Sequence, residues 1–250
     1  ENPNALGGKA VRREIAVFLK GSSGPKMENL LYLPKSAATT PVPVFVGLNF
    51  DGNHAASTES DVRLAHVFRR DATPQKPDKG VRATDASRGK EASRWQAEMI
   101  VSRGYGLATI YYGDIDPDFQ GGIPYGVRAT YLAKGQDAPA ANEWGTISAW
   151  AWGLSRVLDY LETDKAVNAK EVALSGISRL GKTVLWTGAR DTRFAAVIAS
   201  CSGEGGAALS RRNYGETVGH LTAPLRYPYQ FAGNYSNYGK DVNAMPVDAH

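Results

Sequence analysis

The fold is decided by one stretch of the sequence, Val172-Ala173-Leu174-Ser175-Gly176-Ile177-Ser178-Arg179-Leu180-Gly181-Lys182-Thr183. Its apolar first part predicts a short strand over 171–175. Gly176 and Gly181 bound a tight turn, and residues 181–190 predict a helix. A strand that turns sharply into a helix is the repeating unit of a largely parallel sheet with helices packed on it.

Two catalytic motifs compete for this stretch. Residues 176–183 satisfy the phosphate-binding pattern G-x-x-x-x-G-K-[ST], in which backbone N–H groups and a lysine hold a nucleotide. The same turn resembles a nucleophile elbow, which exposes a serine, here Ser178, on a strained strand-to-helix turn. A phosphate loop also needs a later strand that ends in aspartate to hold magnesium, but the next strand, 194–200, is followed by Cys-Ser-Gly-Glu. The elbow is therefore favoured, although its second glycine stands one position late, at Gly181.

The rest of the chain alternates short apolar runs with amphipathic ones. Strands are predicted at 13–20, 30–34, 43–48, 106–112 and 194–200, and a helix at 94–103. A second helix is predicted from the apolar stripe between Ile147 and Leu161, whose tryptophans we expect to lie in the core. Residues 71–93 are rich in Pro, Gly and charge and predict a surface insertion, and residues 205–250 predict a loop-rich segment near the active site.

Composition excludes several classes of protein. The chain has 250 residues, 42% hydrophobic and 22% charged, as in a globular protein, and no apolar run approaches the ~18 residues that span a bilayer. One cysteine cannot form an internal disulfide, and a start at Glu1 fits a mature protein after signal removal. Between Arg69 and Arg94 the sequence has eight basic and four acidic residues. This excess of four basic residues equals the net charge of the whole chain, +4. These basic residues are not interleaved with aromatic ones, so a solvated loop or a rim that attracts an acidic polymer is favoured over a nucleic-acid site.

The turn and three further blocks together resemble a known family. Gly176-Ile177-Ser178-Arg179-Leu180-Gly181-Lys182 is similar to the Gly-x-Ser-Arg-x-Gly-Lys signature of the glucuronoyl esterases, carbohydrate esterase family 15, where the shifted glycine is normal. The other blocks are GLNFDGNH at 47–54, YGDIDPD at 112–118 and the segment 202–216, and the set looks like the bacterial branch. The resemblance implies an α/β-hydrolase three-layer sandwich with a mostly parallel central sheet, incomplete at its C-terminus, in which 1–250 is the N-terminal portion of one catalytic domain.

The resemblance also implies an activity and a set of site residues. The expected reaction is cleavage, without metal or cofactor, of 4-O-methylglucuronoyl esters that link glucuronoxylan to lignin alcohols, by a secreted or periplasmic enzyme. Ser178 would be the nucleophile and Arg179 the oxyanion stabiliser, while Lys182 and Glu216 match positions that contact the sugar hydroxyls. No nucleic acid or membrane partner is expected.

The remaining two members of a catalytic triad are not evident in the sequence. In this fold the chain order is Ser, acid, His. The family's common acid position falls near Cys201, which is no carboxylate, and Glu204 is interpreted as structural. His54 and His66 precede Ser178, and neither His220 nor His250 occupies the family's position for the base. The sequence therefore predicts that acid and histidine lie beyond residue 250, in the remainder of the same domain.

Other interpretations stay open on the sequence alone. The enzyme could be a different carbohydrate esterase such as an acetyl xylan esterase, a nucleotide-binding module that uses 176–183, or a non-catalytic carbohydrate-binding relative. Asp114, Asp116 and Asp118 imitate the start of a calcium loop, but Phe119 and Tyr125 stand where such a loop needs glycine and glutamate. Residues 49–54 are either an oxyanion loop or a plain turn, and His54 is expected to be a hydrogen-bonded structural residue.

Overall fold

A computed structural model describes residues 1–70, 72, 76, 78–212 and 214–248 of the chain. Its main sheet has seven strands: β1 (Asn2–Asn4), β2 (Ala10–Phe18), β3 (Lys26–Pro34), β4 (Val42–Asn49), β7 (Gly106–Tyr111), β8 (Val167–Ile177) and β9 (Ala196–Ser200). Two further strands, β5 (His66–Val67) and β6 (Val81–Arg82), form a separate antiparallel pair. The helices are α1 (Ala5–Gly8), α2 (Ala92–Trp95), α3 (Ala97–Ser102), α4 (Thr146–Leu161), α5 (Arg179–Arg190) and α6 (Val218–Thr222).

The main sheet has the strand order β1-β2-β3-β7-β4-β8-β9 and is mixed. The four strands β7, β4, β8 and β9 run parallel, as the strand-turn-helix pattern predicts, and β1, β2 and β3 add an antiparallel half. Parallel neighbours bring their carboxyl ends to one edge of the sheet. The elbow, which follows β8, therefore lies beside the segments that follow β4, β7 and β9.

Apolar side chains pack on both faces of the sheet. Leu31 and Leu33 belong to one buried cluster together with Leu154 and Leu158 of α4, and their neighbours Leu30 and Tyr32 belong to a second cluster with Val101 of α3. Successive strand residues point to opposite faces. The fold is therefore a three-layer sandwich, helix on sheet on helix.

The central helices follow from their sequences. In α4 the predicted stripe is buried, with Trp150, Leu154 and Leu158 inaccessible to solvent, so these tryptophan and leucine side chains form core as expected. The helix predicted at 94–103 is instead two short helices, because Gln96 between α2 and α3 adopts a left-handed conformation with φ of 46°. Helix α5 begins two residues earlier than predicted, at Arg179, which leaves only Ser178 between strand and helix.

The outer strand β9 has one pairing neighbour, β8, among the described residues. Its side chains Val197 and Ile198 are 38% and 47% exposed, and Ile177 at the end of β8 is 48% exposed. On the α3 side of the sheet, a cavity of about 750 Å³ is lined by Ile177 and Ile198 together with Trp95 of α2. An open strand edge beside exposed apolar side chains is a surface suited to further chain.

The basic stretch between Arg69 and Arg94 contains β6, which pairs with β5 just before that stretch. Its described residues are mostly solvent-accessible, although Ala72 and Asp78 are buried. Residues 71, 73–75 and 77 of the predicted insertion lie outside the described residues. No helix in the described part of the chain is long and apolar enough to cross a bilayer.

Candidate active site

Ser178 lies on a one-residue turn between β8 and α5. Its φ and ψ are 57° and −127°, a conformation that costs a residue with a side chain about 1–3 kcal/mol and is held only by its surroundings. The Ser178 N–H donates to the Ser200 carbonyl at 2.9 Å, and the Ser178 carbonyl accepts the Lys182 N–H at 3.0 Å. Strand β9 on one side and the first turn of α5 on the other thus hold the serine in the geometry of a nucleophile elbow.

Two glycines make this turn possible. A Cβ on Gly176 would lie 2.3 Å from the Leu180 carbonyl oxygen, and one on Gly181 would lie 2.9 Å from the Ser200 oxygen. The second contact explains the late glycine: here it is position 181 that packs against the end of β9. A single residue between strand and helix also leaves no loop to surround a phosphate, so the turn has the form of an elbow and not of a phosphate loop.

Arg179 occupies the first position of α5, beside the serine. Its Nη1 donates to Asp118 Oδ2 at 2.6 Å, and its guanidinium lies 4.6 Å above the ring of Tyr227. Burial alone would lower the pKa of Arg179, but the Asp118 carboxylate more than offsets it and raises that pKa. The Arg179 side chain remains 21% exposed, so a fixed, charged donor group reaches the surface next to Ser178.

Asp118 collects hydrogen bonds from three other side chains. Tyr112 donates to Oδ2 at 3.0 Å, and Tyr229 and Gln230 donate to Oδ1 at 3.0 and 2.7 Å. Burial, reinforced by the Asp118 charge, raises the pKa of the hydroxyls of Tyr112 and Tyr229, which therefore stay protonated as donors. Asp118 joins the segment after β7, the start of α5 and the segment 227–230 in one network.

Lys182 and Glu216 approach each other across Gly203. A Cβ on Gly203 would lie 3.9 Å from Lys182 Nζ and 3.8 Å from Glu216 Oε2. Lys182 is 6% exposed and donates from Nζ to the Ser202 carbonyl at 2.7 Å. Burial lowers the pKa of Lys182, and the nearby carboxylates of Glu216 and Glu204 oppose this. The structure thus brings all four predicted site residues, from Ser178 to Glu216, to the same edge of the sheet.

No described residue supplies a base to Ser178, whose hydroxyl makes no hydrogen bond within residues 1–70, 72, 76, 78–212 and 214–248. The His54 ring is buried, and its Nε2 lies 2.8 Å from Ser87 Oγ, within hydrogen-bond distance. This contact agrees with a structural role for His54. His66 packs edge-on against Phe68, and His220 is exposed in α6. His250 lies outside the described residues.

Within the described residues, neither the position expected for the acid nor Glu204 orients a histidine. Cys201 is exposed directly after β9, where the resemblance places the acid. Glu204 is 3% exposed and accepts from the hydroxyls of Ser210, at 2.5 Å, and Tyr235, at 3.3 Å. Its carboxylate therefore ties the segment after β9 to the loop-rich segment, as expected of a structural residue.

The three aspartates of the calcium-like pattern have separate partners. Asp114 accepts the Glu28 N–H at 3.1 Å, Asp116 pairs with Arg128, and Asp118 pairs with Arg179. Among the described residues no group of three metal-ligating side chains comes together. In the loop 49–54, Asn49 binds the Gly52 N–H and the Asn53 side chain, so its side chain shapes the turn.

Known proteins are similar to this chain in sequence and in structure. A family model described as glucuronyl esterase, fungi, matches residues 139–250. The solved structure of a glucuronoyl esterase from Solibacter usitatus is 47% identical in sequence and superposes with a TM-score of 0.90. The superposition covers 99% of this chain and 61% of that one. Over nearly its whole length, this chain resembles esterases of carbohydrate esterase family 15. A promiscuous CE15 esterase from a marine bacterial metagenome is 45% identical, with a TM-score of 0.84 and the same coverage.

The CE15 relationship extends to curated proteins. Carbohydrate esterase MZ0003, from an unknown prokaryotic organism, is 46% identical over 98% of this chain and 56% of its own length. A 4-O-methyl-glucuronoyl methylesterase from Wolfiporia cocos is 33% identical over 58% of this chain and 36% of its own length. The chain thus spans between about one third and three fifths of the length of these CE15 relatives.

Sequence reasoning assigned no role in the candidate site to Asp118, Tyr229 or Gln230. Asp118 belonged to the resemblance block 112–118 and to the calcium-like pattern, and neither paired it with Arg179. Its position after a predicted core strand was an available signal, because the carboxyl ends of parallel strands meet where the elbow lies. Nothing in the loop-rich segment marked Tyr229 or Gln230.

Proposed function

We propose that this chain carries the nucleophile side of a serine carboxylic ester hydrolase, which cleaves 4-O-methylglucuronoyl esters between glucuronoxylan and lignin alcohols. The observation that supports the proposal most is the elbow, with Ser178 strained and exposed beside the Arg179 guanidinium. Similarity to CE15 esterases and the names of the relatives support the substrate class. Lys182, one helical turn from the serine, and Glu216, near Lys182 across Gly203, supply polar groups for sugar hydroxyls.

In the proposed reaction Ser178 Oγ attacks the ester carbonyl while a histidine takes its proton. The carbonyl oxygen becomes an oxyanion, which hydrogen bonds from Arg179 stabilise. The carbon–oxygen bond to the alcohol then breaks, and the histidine returns the proton to the leaving alkoxide. Water attacks the acyl-enzyme by the same route and releases glucuronate and free Ser178.

We further propose that the acid and the histidine come from the remainder of the domain, beyond residue 250. The proposal is supported by the Ser178 hydroxyl, which has no hydrogen-bond partner among the described residues, and by the edge of β9, which no described strand pairs with, beside the apolar cavity. Intact-mass measurement of the active protein tests it. A species larger than the 26.9 kDa of these 250 residues is expected. An active species of 26.9 kDa alone would contradict the proposal and make His220 and Glu204 the candidates.

The proposed nucleophile is tested by Ser178→Ala in the full-length polypeptide, with a benzyl glucuronate ester as substrate. We expect kcat/KM to fall by at least ~1000-fold, because the covalent route is lost. Ser93→Ala is the matched control: it alters a serine on the exposed surface of α2 and should retain full activity. A Ser178→Ala variant within tenfold of wild type would remove this residue from the mechanism.

The substrate class is tested by comparing esters. Hydrolysis of methyl glucuronate without hydrolysis of acetyl xylan is expected, since an acetyl group carries no sugar for Lys182 and Glu216 to bind. The reverse preference would make the protein an acetyl xylan esterase. Because the proposed substrate lies in plant cell walls, we also propose a secreted or periplasmic location.

A further inference from the structure

We propose that Asp118 is a specificity-determining residue, which balances the charge of Arg179 so that the site accepts a neutral glucuronate ester and disfavours the free glucuronate carboxylate. The inference rests on the proposed function. It concerns a residue that no catalytic step requires, and it follows from the charges and hydrogen bonds around Arg179.

The pairing of Arg179 with Asp118 is close and one-to-one. The Asp118 side chain is 1% exposed, so solvent ions do not reach it, and its Oδ2 accepts from Arg179 Nη1 at 2.6 Å. Its other side-chain donors, Tyr112, Tyr229 and Gln230, are all uncharged. The carboxylate thus meets one cation directly, and the net charge of the pair is zero.

Arg179 nevertheless keeps donors for a ligand. A guanidinium has five N–H groups, and within the described residues the only hydrogen bond from this one leaves Nη1. The N–H groups on Nε and Nη2 therefore have no acceptor there, and the side chain is partly exposed. Arg179 can offer hydrogen bonds to an oxygen while its charge is already balanced.

This combination distinguishes the two forms of a glucuronate group. The ester carbonyl is neutral, and its oxygen becomes charged only in the transition state. The free acid, which is both the product and a neighbour on the same polymer, carries a full negative charge at neutral pH. An unbalanced guanidinium binds carboxylates in bidentate fashion, so without Asp118 the site would retain the product and be occupied by unesterified side groups.

Lys182, the second cation of the site, donates from Nζ to the Ser202 carbonyl and forms no ion pair with a described residue. The nearby carboxylates of Glu216 and Glu204 oppose the lowering of its pKa by burial and so favour its charged form. The elbow therefore presents hydrogen-bond donors with little excess positive charge. Asp118 is the group that achieves this next to the reacting carbon.

The test measures binding of D-glucuronate, as the free acid, to full-length protein in a Ser178→Ala background, so that no turnover intervenes. Asp118→Asn keeps the shape and one acceptor oxygen but removes the charge. We expect Asp118→Asn to bind D-glucuronate about tenfold more tightly than the background protein, because Arg179 then forms a charge-assisted hydrogen bond to the carboxylate of the ligand without a competing charge. Its affinity should also depend more steeply on salt concentration. Affinity for the neutral methyl ester should change less than threefold.

Asp85→Asn is the matched control, because it removes the charge of an exposed carboxylate that is paired with an arginine, Arg88, outside the site. Its affinity for D-glucuronate should stay within twofold. A purely structural role for Asp118 predicts the opposite pattern for Asp118→Asn, with weaker binding of acid and ester alike. Unchanged or weaker binding of D-glucuronate by Asp118→Asn would overturn the inference.

A double variant keeps the test decisive if Asp118→Asn alone does not fold. Asp118→Asn with Arg179→Met removes both charges and restores the net charge of zero, so its affinity for D-glucuronate should not exceed that of the background protein. Tighter binding by the double variant would contradict the charge argument. Failure of the proposed function is seen separately, as an absence of ester hydrolysis by the wild-type protein.

Discussion

The buried pair of Arg128 and Asp116 should be among the most sensitive points of the fold. Their side chains are 4% and 0% exposed, and the guanidinium binds the carboxylate twice, at 2.9 and 3.1 Å. The same guanidinium donates to the Thr146 hydroxyl at 2.7 Å, at the first residue of α4. The Asp116 carbonyl accepts from the Trp150 indole at 2.7 Å. The pair thus fixes the segment after β7 to the start of α4.

Replacing Arg128 by Met leaves a carboxylate in the core with no cation. Such an uncompensated charge costs about 3–5 kcal/mol, whereas replacing both members with apolar residues of similar size is often nearly neutral. We therefore expect Arg128→Met to lower the free energy of unfolding by about 3–5 kcal/mol. The double variant Arg128→Met/Asp116→Leu should recover more than half of that loss.

The assay is urea unfolding of the full-length polypeptide, followed by far-ultraviolet circular dichroism, with the slope checked for two-state behaviour. Arg63→Met is the control, since Arg63 is a half-exposed arginine paired with Glu28 on the surface and should cost less than about 1 kcal/mol. A loss of less than 1 kcal/mol in Arg128→Met, or a double variant worse than the single one, would refute the reasoning.

Three other outcomes are expected. Arg179→Ala should lower kcat more than it raises KM, because oxyanion contacts strengthen in the transition state; a pure KM effect in steady-state kinetics would make Arg179 a binding residue. Burial raises the pKa of Asp114 from 3.8 to about 7, so folding is weakened as pH rises between these values. At pH 8 the free energy of unfolding of Asp114→Asn should therefore exceed that of wild type by at most ~4 kcal/mol, and its melting temperature should be higher. At pH 4 this difference should be gone. Gly181→Ala should destabilise the protein by about 1–3 kcal/mol and lower kcat, since its Cβ would push the Ser200 carbonyl that holds the Ser178 N–H; unchanged melting and activity would show that the contact relaxes freely.

The sequence predicted the features that depend on neighbouring residues. The turn at Ser178 is bounded by glycines that the local geometry requires, and the stripe of α4 repeats at helical spacing over 16 residues. Both signals are complete within one short window. Three of the four predicted site residues, Ser178, Arg179 and Lys182, belong to this turn, whereas Glu216 was predicted only from the family resemblance.

The features that were missed depend on distant parts of the chain. Asp118 contacts Arg179 across 61 positions and Gln230 across 112, and no local pattern records such pairings. The break at Gln96 and the antiparallel half of the sheet likewise follow from packing and strand pairing and not from periodicity. The strand bounds were short for the same reason, since the pairing of β2 with β3 extends past the apolar residues to Lys26.

The strand order also sets a sequence of events during synthesis. Strands β2 and β3 pair within one hairpin and can form as soon as they leave the ribosome, whereas β4 pairs with β8 across more than 120 positions. Because ribosomes add about 5–20 residues per second, β4 waits several seconds for β8, with β7 as its only neighbour. The turn at Ser178 closes against Ser200 later still. Conformational strain at the nucleophile is therefore imposed only after the strands from β1 to β8 have been synthesised, and it places no burden on the early steps of folding.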